Sequence, residues 1–250
     1  MRRAIFLPVF CLVLAACGRE TEPPNPPDAA QQQAWFPLAI GQVSEFVVDS
    51  LVFDFGLRDS SRTFVREVVA DTFRDNTGRL VFKIERFERK NPAENWQIRH
   101  VWSASRTAGE AIRTEDNLRF RPLVFPLDTR TGWDGHAFLD KNLEIEVAGE
   151  RLRPFGGWFF EVDSMGVPGV VGNFAFDSLL IVTETDSDNL FERRFSRAKY
   201  ARNVGLVWRE QWILDSQYCN QIPPPADCAT KPWAEKAEKG YILRQTIIDF

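Results

Sequence analysis

Apolar and polar residues alternate with a period of two along much of this chain, the mark of strands with one covered face. Trp96, Ile98, His100 and Trp102 take turns with Gln97, Arg99, Val101 and Ser103. Leu80, Phe82 and Ile84 alternate in the same way with Val81, Lys83 and Glu85. Asp75-Asn-Thr-Gly78 separates residues 63–73 from 79–89, so those two runs form a predicted hairpin. Further strands are predicted at 43–55, 118–125, 143–148, 158–163, 178–184, 191–198, 205–215 and 241–250. Most are joined by Gly, Asn, Asp or Pro turns, giving roughly ten or eleven strands. His100 falls on the tryptophan-rich phase of its strand, which makes it a hydrogen-bonded core imidazole in this reading.

Several runs are long. Eleven residues at about 3.3 Å each extend roughly 36 Å, well past the usual strand. Long antiparallel strands with one apolar face bury that face by curling around it. The expected fold class is therefore mostly β: an antiparallel barrel or strongly curved half-barrel of about ten strands, with one or two short helices. The helices are expected at Thr107-Ala-Gly-Glu110, which has capping-box spacing, and at residues 230–240. The latter has a cap threonine, Pro232 in the first turn, a Glu235–Lys239 pair and a closing Gly240.

The N-terminal region differs. Residues 18–34 hold four prolines among polar neighbours and no core-forming side chain, so residues 17–34 read as an extended tether. Before it, Met1-Arg2-Arg3 leads into an apolar run from Ala4 to Ala16 that is interrupted by Pro8. The run is too short to span a bilayer and has the layout of a secretory leader, residues 1–16. Its end, Leu14-Ala-Ala-Cys17, resembles a bacterial lipobox. That resemblance implies cleavage before Cys17, lipid on its thiol, and two or three acyl chains, enough for firm anchoring. Gly18 stands where the inner-membrane retention signal of enteric lipoproteins has Asp, which favours the outer membrane. Residues 35–250 then form a single β-rich domain.

Composition narrows the partners. Loss of Arg2 and Arg3 with the leader takes the formal net charge from −4 to −6, and no Lys/Arg cluster suggests nucleic acid. With 44% hydrophobic residues, 21 Phe and 8 Trp there is material for a packed core. Of the four cysteines, Cys11 lies in the leader and Cys17 is the anchor. Cys219 and Cys228, flanking a proline-rich loop in an oxidising compartment, are expected to form a disulfide.

Candidate chemistry is sparse. His136 follows Gly132-Trp-Asp-Gly135, where Asp134 is placed to orient it as an acid–base pair. No nucleophile motif such as Gly-x-Ser-x-Gly accompanies them. Glu110, Glu115, Asp116, Asp186 and Asp188 include no pair selected for glycoside hydrolysis. Thr185-Asp-Ser-Asp-Asn189 lacks the glycine and terminal glutamate of a calcium loop and reads as a solvated turn. No catalytic residue, metal site or cofactor is expected.

Three segments carry a resemblance: Trp35-Phe-Pro-Leu-Ala-Ile-Gly41; Val124-Phe-Pro-Leu127 with Gly132-Trp-Asp-Gly135; and Tyr200-Ala-Arg-Asn-Val-Gly-Leu-Val207. As a set they resemble a group of Bacteroidota lipoproteins with no established activity, across most of residues 35–215. The third segment is also similar to exported families with LolA-like curved sheets. The resemblance transfers no catalytic residue. The anchor, the tether, the well-patterned body and the lack of convergent chemistry point to a non-enzymatic envelope lipoprotein acting as a binding or structural module, held at the membrane by its anchor and meeting an apolar ligand or an envelope protein. The alternatives are a carrier of lipid or another apolar ligand inside the sheet, and a hydrolase of envelope glycans or polymers.

Overall fold

The computed structural model describes residues 28–250. Its strands are β1 (Val43–Asp54), β2 (Leu57–Arg74), β3 (Leu80–Arg89), β4 (Gln97–Arg106), β5 (Glu110–Glu115), β6 (Leu118–Val124) and β7 (Gly132–Trp133). They continue as β8 (Ile145–Val147), β9 (Glu150–Leu152), β10 (Phe160–Val171), β11 (Phe174–Asp188), β12 (Glu192–Ala201), β13 (Gly205–Asp215) and β14 (Lys239–Asp249). Two short α-helices, α1 (Ala29–Gln33) and α2 (Trp233–Lys236), and a 3-10 turn at Tyr218–Asn220 complete the regular structure among the described residues.

Twelve strands form one antiparallel sheet in the order β6-β5-β4-β3-β2-β1-β14-β13-β12-β11-β10-β7. Successive hairpins build each half, and the join between the halves is the pairing of β1 with β14, in which Phe46 faces Ile247. The outer edges nearly meet. Arg121 N donates to Gly135 O at 2.8 Å, and Trp133 Nε1 donates to Arg121 O at 2.9 Å. The sheet is thus a nearly closed barrel of twelve strands rather than about ten. Strands as long as the 18 residues of β2 cannot stay flat. Register shifts at Val69/Asp71, at Thr183/Thr185 and at three points along β10 bend them round.

The predicted hairpin forms as β2–β3. Asp75 Oδ1 accepts from Thr77 N and Arg79 N, and Gly78 sits at φ +79°. Residues 160–163 and 178–184 prove to be parts of the much longer β10 and β11, joined at Gly172-Asn173, with 158 and 159 just ahead of β10. Residues 143–148 contribute only β8, which pairs with β9 outside the main sheet.

Four expectations need correction. Thr107 caps no helix: its Oγ1 accepts from Gly109 N and Glu110 N in the tight turn between β4 and β5. The same hydroxyl chemistry serves either structure, and the strand ladder on both sides decides. The helix at 230–240 shrinks to α2, because Lys239 and Gly240 already pair with Asp54 and Phe53 of β1. His100 is no core imidazole; its side chain is 39% exposed and Nδ1 meets Asp116 Oδ1 at 2.9 Å. Only the Trp102 end of that strand is buried, while Ile98 remains exposed. Finally, the tether stops short of residue 34. α1 is ordered, and buried Gln32 accepts from Leu127 N through Oε1 at 3.0 Å. A glutamine can enter a core when its amide satisfies a strand-end main-chain group.

The segment after α1 crosses one end of the barrel. Asn203 N donates to Ala34 O, Arg106 Nη1 to Phe36 O, and Gln42 Nε2 to Val204 O. Trp35, Phe36 and Leu38 join Leu123, Leu127, Trp133, Leu180 and Tyr200 in the main core. A second cluster, including Phe46, Val65, Val171 and Ile247, lies under the β10–β11 tip. The opposite end, where β5 turns into β6, leaves room inside.

Candidate functional site

Alternation along each strand decides what faces the barrel interior, and the inward phase carries charge as well as hydrocarbon. On β2, Val65 and Val69 flank Glu67; on β11, Leu180 and Val182 precede Glu184; on β13, Val207 and Ile213 flank Arg209 and Gln211. Cross-strand register brings these groups together, with Glu67 opposite Arg86 of β3 and Arg209 opposite Ala198 of β12.

Two ion-pair networks result. Glu67 Oε1 accepts from Arg113 Nη2 at 2.7 Å and from Arg86 Nη1 at 3.3 Å, while Arg113 Nε reaches Glu115. Both guanidiniums lie over the Trp102 ring, at 4.6 and 5.0 Å from its centre. Across the interior, Glu184 accepts from Arg209 Nη2 at 2.9 Å and from the Ser196 hydroxyl, which in turn accepts from Gln211 Nε2 at 3.3 Å. Burial by itself pushes the Glu67 carboxyl up, but Arg113 and Arg86 outweigh it and hold the group below the usual carboxylate range. Burial likewise tends to discharge Arg113 and Arg209, and their glutamate partners more than reverse it. Burial raises the phenols of Tyr200 and Tyr241 to about 12.

Between the networks and the β5–β6 end lies a cavity of about 240 Å³. Glu184, Arg209, Gln211 and Tyr241 line its polar side, and Glu115 and Asp116 its rim. Phe120, His136, Phe155, Trp158 and Phe160 form the aromatic wall. A second space of about 170 Å³, between Trp102, Tyr200 and Gln245, shares Arg113, Glu115, Arg209 and Gln211 with the first.

His136 belongs to this wall, with ring centres 4.6 Å from Trp158, 4.8 Å from Phe155 and 5.4 Å from Phe160. Burial among these rings lowers its pKa against the pull of Glu184. The Asp134 carboxylate does not orient the ring; Oδ1 accepts from the His136 main-chain N at 2.9 Å. Gly135 between them is required by packing, since a Cβ there would lie 2.4 Å from the Phe160 ring. Cys219 and Cys228 are joined in a disulfide that ties the loop ahead of α2. Cys17 lies outside the described residues. Asp186 and Asp188 sit at the exposed end of β11, where Arg193 pairs with both.

Glu67, Arg86, Arg113, Glu184 and Arg209 belong to no sequence motif. Their signal was there: charges in the apolar phase of otherwise alternating strands, a placement that burial permits only with partners.

The class so defined is a mostly β, nearly closed antiparallel barrel with a polar, charge-paired interior. No protein-family model and no curated protein sequence matches the chain. Among solved structures, a Bacteroides fragilis protein described as exported and YmcC-like in fold aligns at 10% identity and TM-score 0.36, covering 85% of this chain and 99% of its own. A Parabacteroides distasonis protein described as a lipoprotein aligns at 12% identity and TM-score 0.34, covering 85% and 96%.

Proposed function

We propose that this chain is a lipid-anchored protein of the bacterial cell envelope, held at the outer membrane through Cys17, and that it works there as a non-enzymatic binding module. The leader and Leu14-Ala-Ala-Cys17 support the address. The observation that carries the binding role is the half-enclosed cavity of about 240 Å³ at the barrel end opposite the α1 segment, through which the chain arrives from its tether. The paired state of its charges supports binding over catalysis. Glu184 is committed to Arg209 and Ser196, Glu115 to Arg113, and the Asp134 carboxylate to a main-chain amide. A carrier of lipid fits less well, because the polar side would oppose an acyl chain.

The test is intact-mass measurement and membrane fractionation of the protein from its native host. Expected are a diacylglycerol-bearing Cys17, a missing leader and recovery with the outer membrane. An unmodified cysteine or a retained leader refutes the address, and stoichiometric co-purifying lipid inside the folded protein refutes the choice of binding module over lipid carrier.

A further inference from the structure

We infer that the cavity at the β5–β6 end binds a single uncharged sugar ring, by stacking on Phe120 and Phe155 and hydrogen bonding to the Glu184–Arg209–Gln211 side. The inference rests on the binding-module reading and names its ligand. Charge is the first argument. Inside the barrel Arg86, Arg113 and Arg209 are matched by Glu67, Glu115 and Glu184, each within an ion pair. Asp116 at the rim is bonded to His100 Nδ1 and Trp102 Nε1. An ionic ligand would therefore find no free countercharge and would lose its hydration without compensation.

Shape and polarity give the second argument. One wall is aromatic and the facing side is made of planar hydrogen-bonding groups. A pyranose has the same division: C–H faces that pack on rings, and an edge of hydroxyls that both donate and accept. Phe120 and Phe155 are half-buried, so ring surface is left for a ligand, whereas Trp158 and Phe160 behind them are buried. The space holds the equivalent of about eight waters, enough for one ring.

A third observation is independent of these. Trp158 Nε1 and Arg209 Nε are buried and find no hydrogen-bond partner among the protein's own atoms. Both groups are donors only, and both belong to residues lining this one cavity. Buried donors are rarely left unmatched, so a cavity whose lining holds this surplus suits a ligand rich in acceptor oxygens.

The full-length lipoprotein in detergent micelles is titrated with glucose, galactose and N-acetylglucosamine by calorimetry and saturation-transfer NMR, beside glucuronate and glucosamine as charged counterparts of similar size. At least one neutral sugar is expected to bind saturably, and at least about tenfold more tightly than either charged one. Phe155→Ala weakens it about tenfold through lost stacking. Trp158→Phe, which keeps the ring and removes the donor, supplies a second reading should Phe155→Ala unfold; it too weakens binding, with the melting temperature confirming the fold. Absence of saturable binding by all three neutral sugars, or affinity indifferent to both substitutions, overturns the inference. Tighter binding of glucuronate or glucosamine also overturns it, while leaving the binding-module reading intact. Turnover of a nitrophenyl glycoside by the wild type and not by Glu184→Gln refutes that reading itself.

Discussion

Removing one partner of the Glu184–Arg209 pair tests how the barrel tolerates charge in its interior. The Glu184 side chain is 2% exposed and Arg209 is 23% exposed, so the carboxylate is held out of water and the guanidinium only partly so. Glu184→Leu leaves a buried guanidinium unmatched and takes one bond from Ser196, which keeps its bond from Gln211. Breaking a buried pair from one side costs about 3–5 kcal/mol, and the partial exposure of Arg209 places this case near 3. For a domain of this size that lowers the melting temperature by about 6–12 °C. The double substitution Glu184→Leu with Arg209→Met removes both charges together and should recover at least half of the loss, since apolar replacement of a whole pair is often neutral. Urea unfolding followed by tryptophan fluorescence measures all three variants. A single-variant loss below about 1 kcal/mol, or a double-variant loss equal to the sum of the two singles, would refute the view that these charges are held by each other.

Further outcomes follow from the same structure. Gly240→Ala should abolish or severely weaken folding, because the residue sits at φ +114° and its Cβ would clash with Ile213 O; expression and melting temperature report it. Gly135→Ala should cost about 1–3 kcal/mol by crowding Phe160, read by urea midpoint, and a neutral result would deny the close approach. Acid should destabilise the fold in two stages. Below about pH 6.5 the unfolded chain takes up a proton that the buried His136 ring resists, and below about pH 4.3 it takes up another that Glu67, held low by its arginines, resists. Both contributions are present at neutral pH and lost as pH falls, so melting temperature should drop from pH 7.5 to 4, with His136→Phe removing the upper part of the slope. Replacing Cys219 and Cys228 together by Ser should cost about 2.5 kcal/mol, from the separation of 9 residues that the bridge closes.

The sequence announced strands well wherever one face meets solvent and the other the core. β1, β13 and β14 lie within a residue or two of the alternation that predicted them, and the Asp75–Gly78 turn stands where its residues require. Alternation fails where a strand is covered on neither side or bends away. The outer part of β10, with Gly166, Pro168 and Gly169, looks like loop in sequence yet pairs with β11 by way of bulges. The β5 strand was hidden because Thr107 satisfies two amides in a hairpin as readily as in a helix. The site was harder to see, for a different reason. Each interior charge is unremarkable alone, and Glu67 gains meaning only when Arg113, 46 positions away, is folded beside it. His136 stands out in sequence for its neighbour Asp134, whereas the aromatic wall it joins is built by Phe155, Trp158 and Phe160 on a later segment.

The place of β14 in the sheet has a consequence for biogenesis. β1 emerges early, yet one of its two hydrogen-bonding edges must wait for Lys239–Asp249, with which it forms a ladder from Glu45 to Asp54. A polypeptide made from its amino end therefore keeps that edge open until the late segment is available. Joining the two halves becomes the closing act of folding, and a product lacking β14 would display a long naked edge for proteases and chaperones to find.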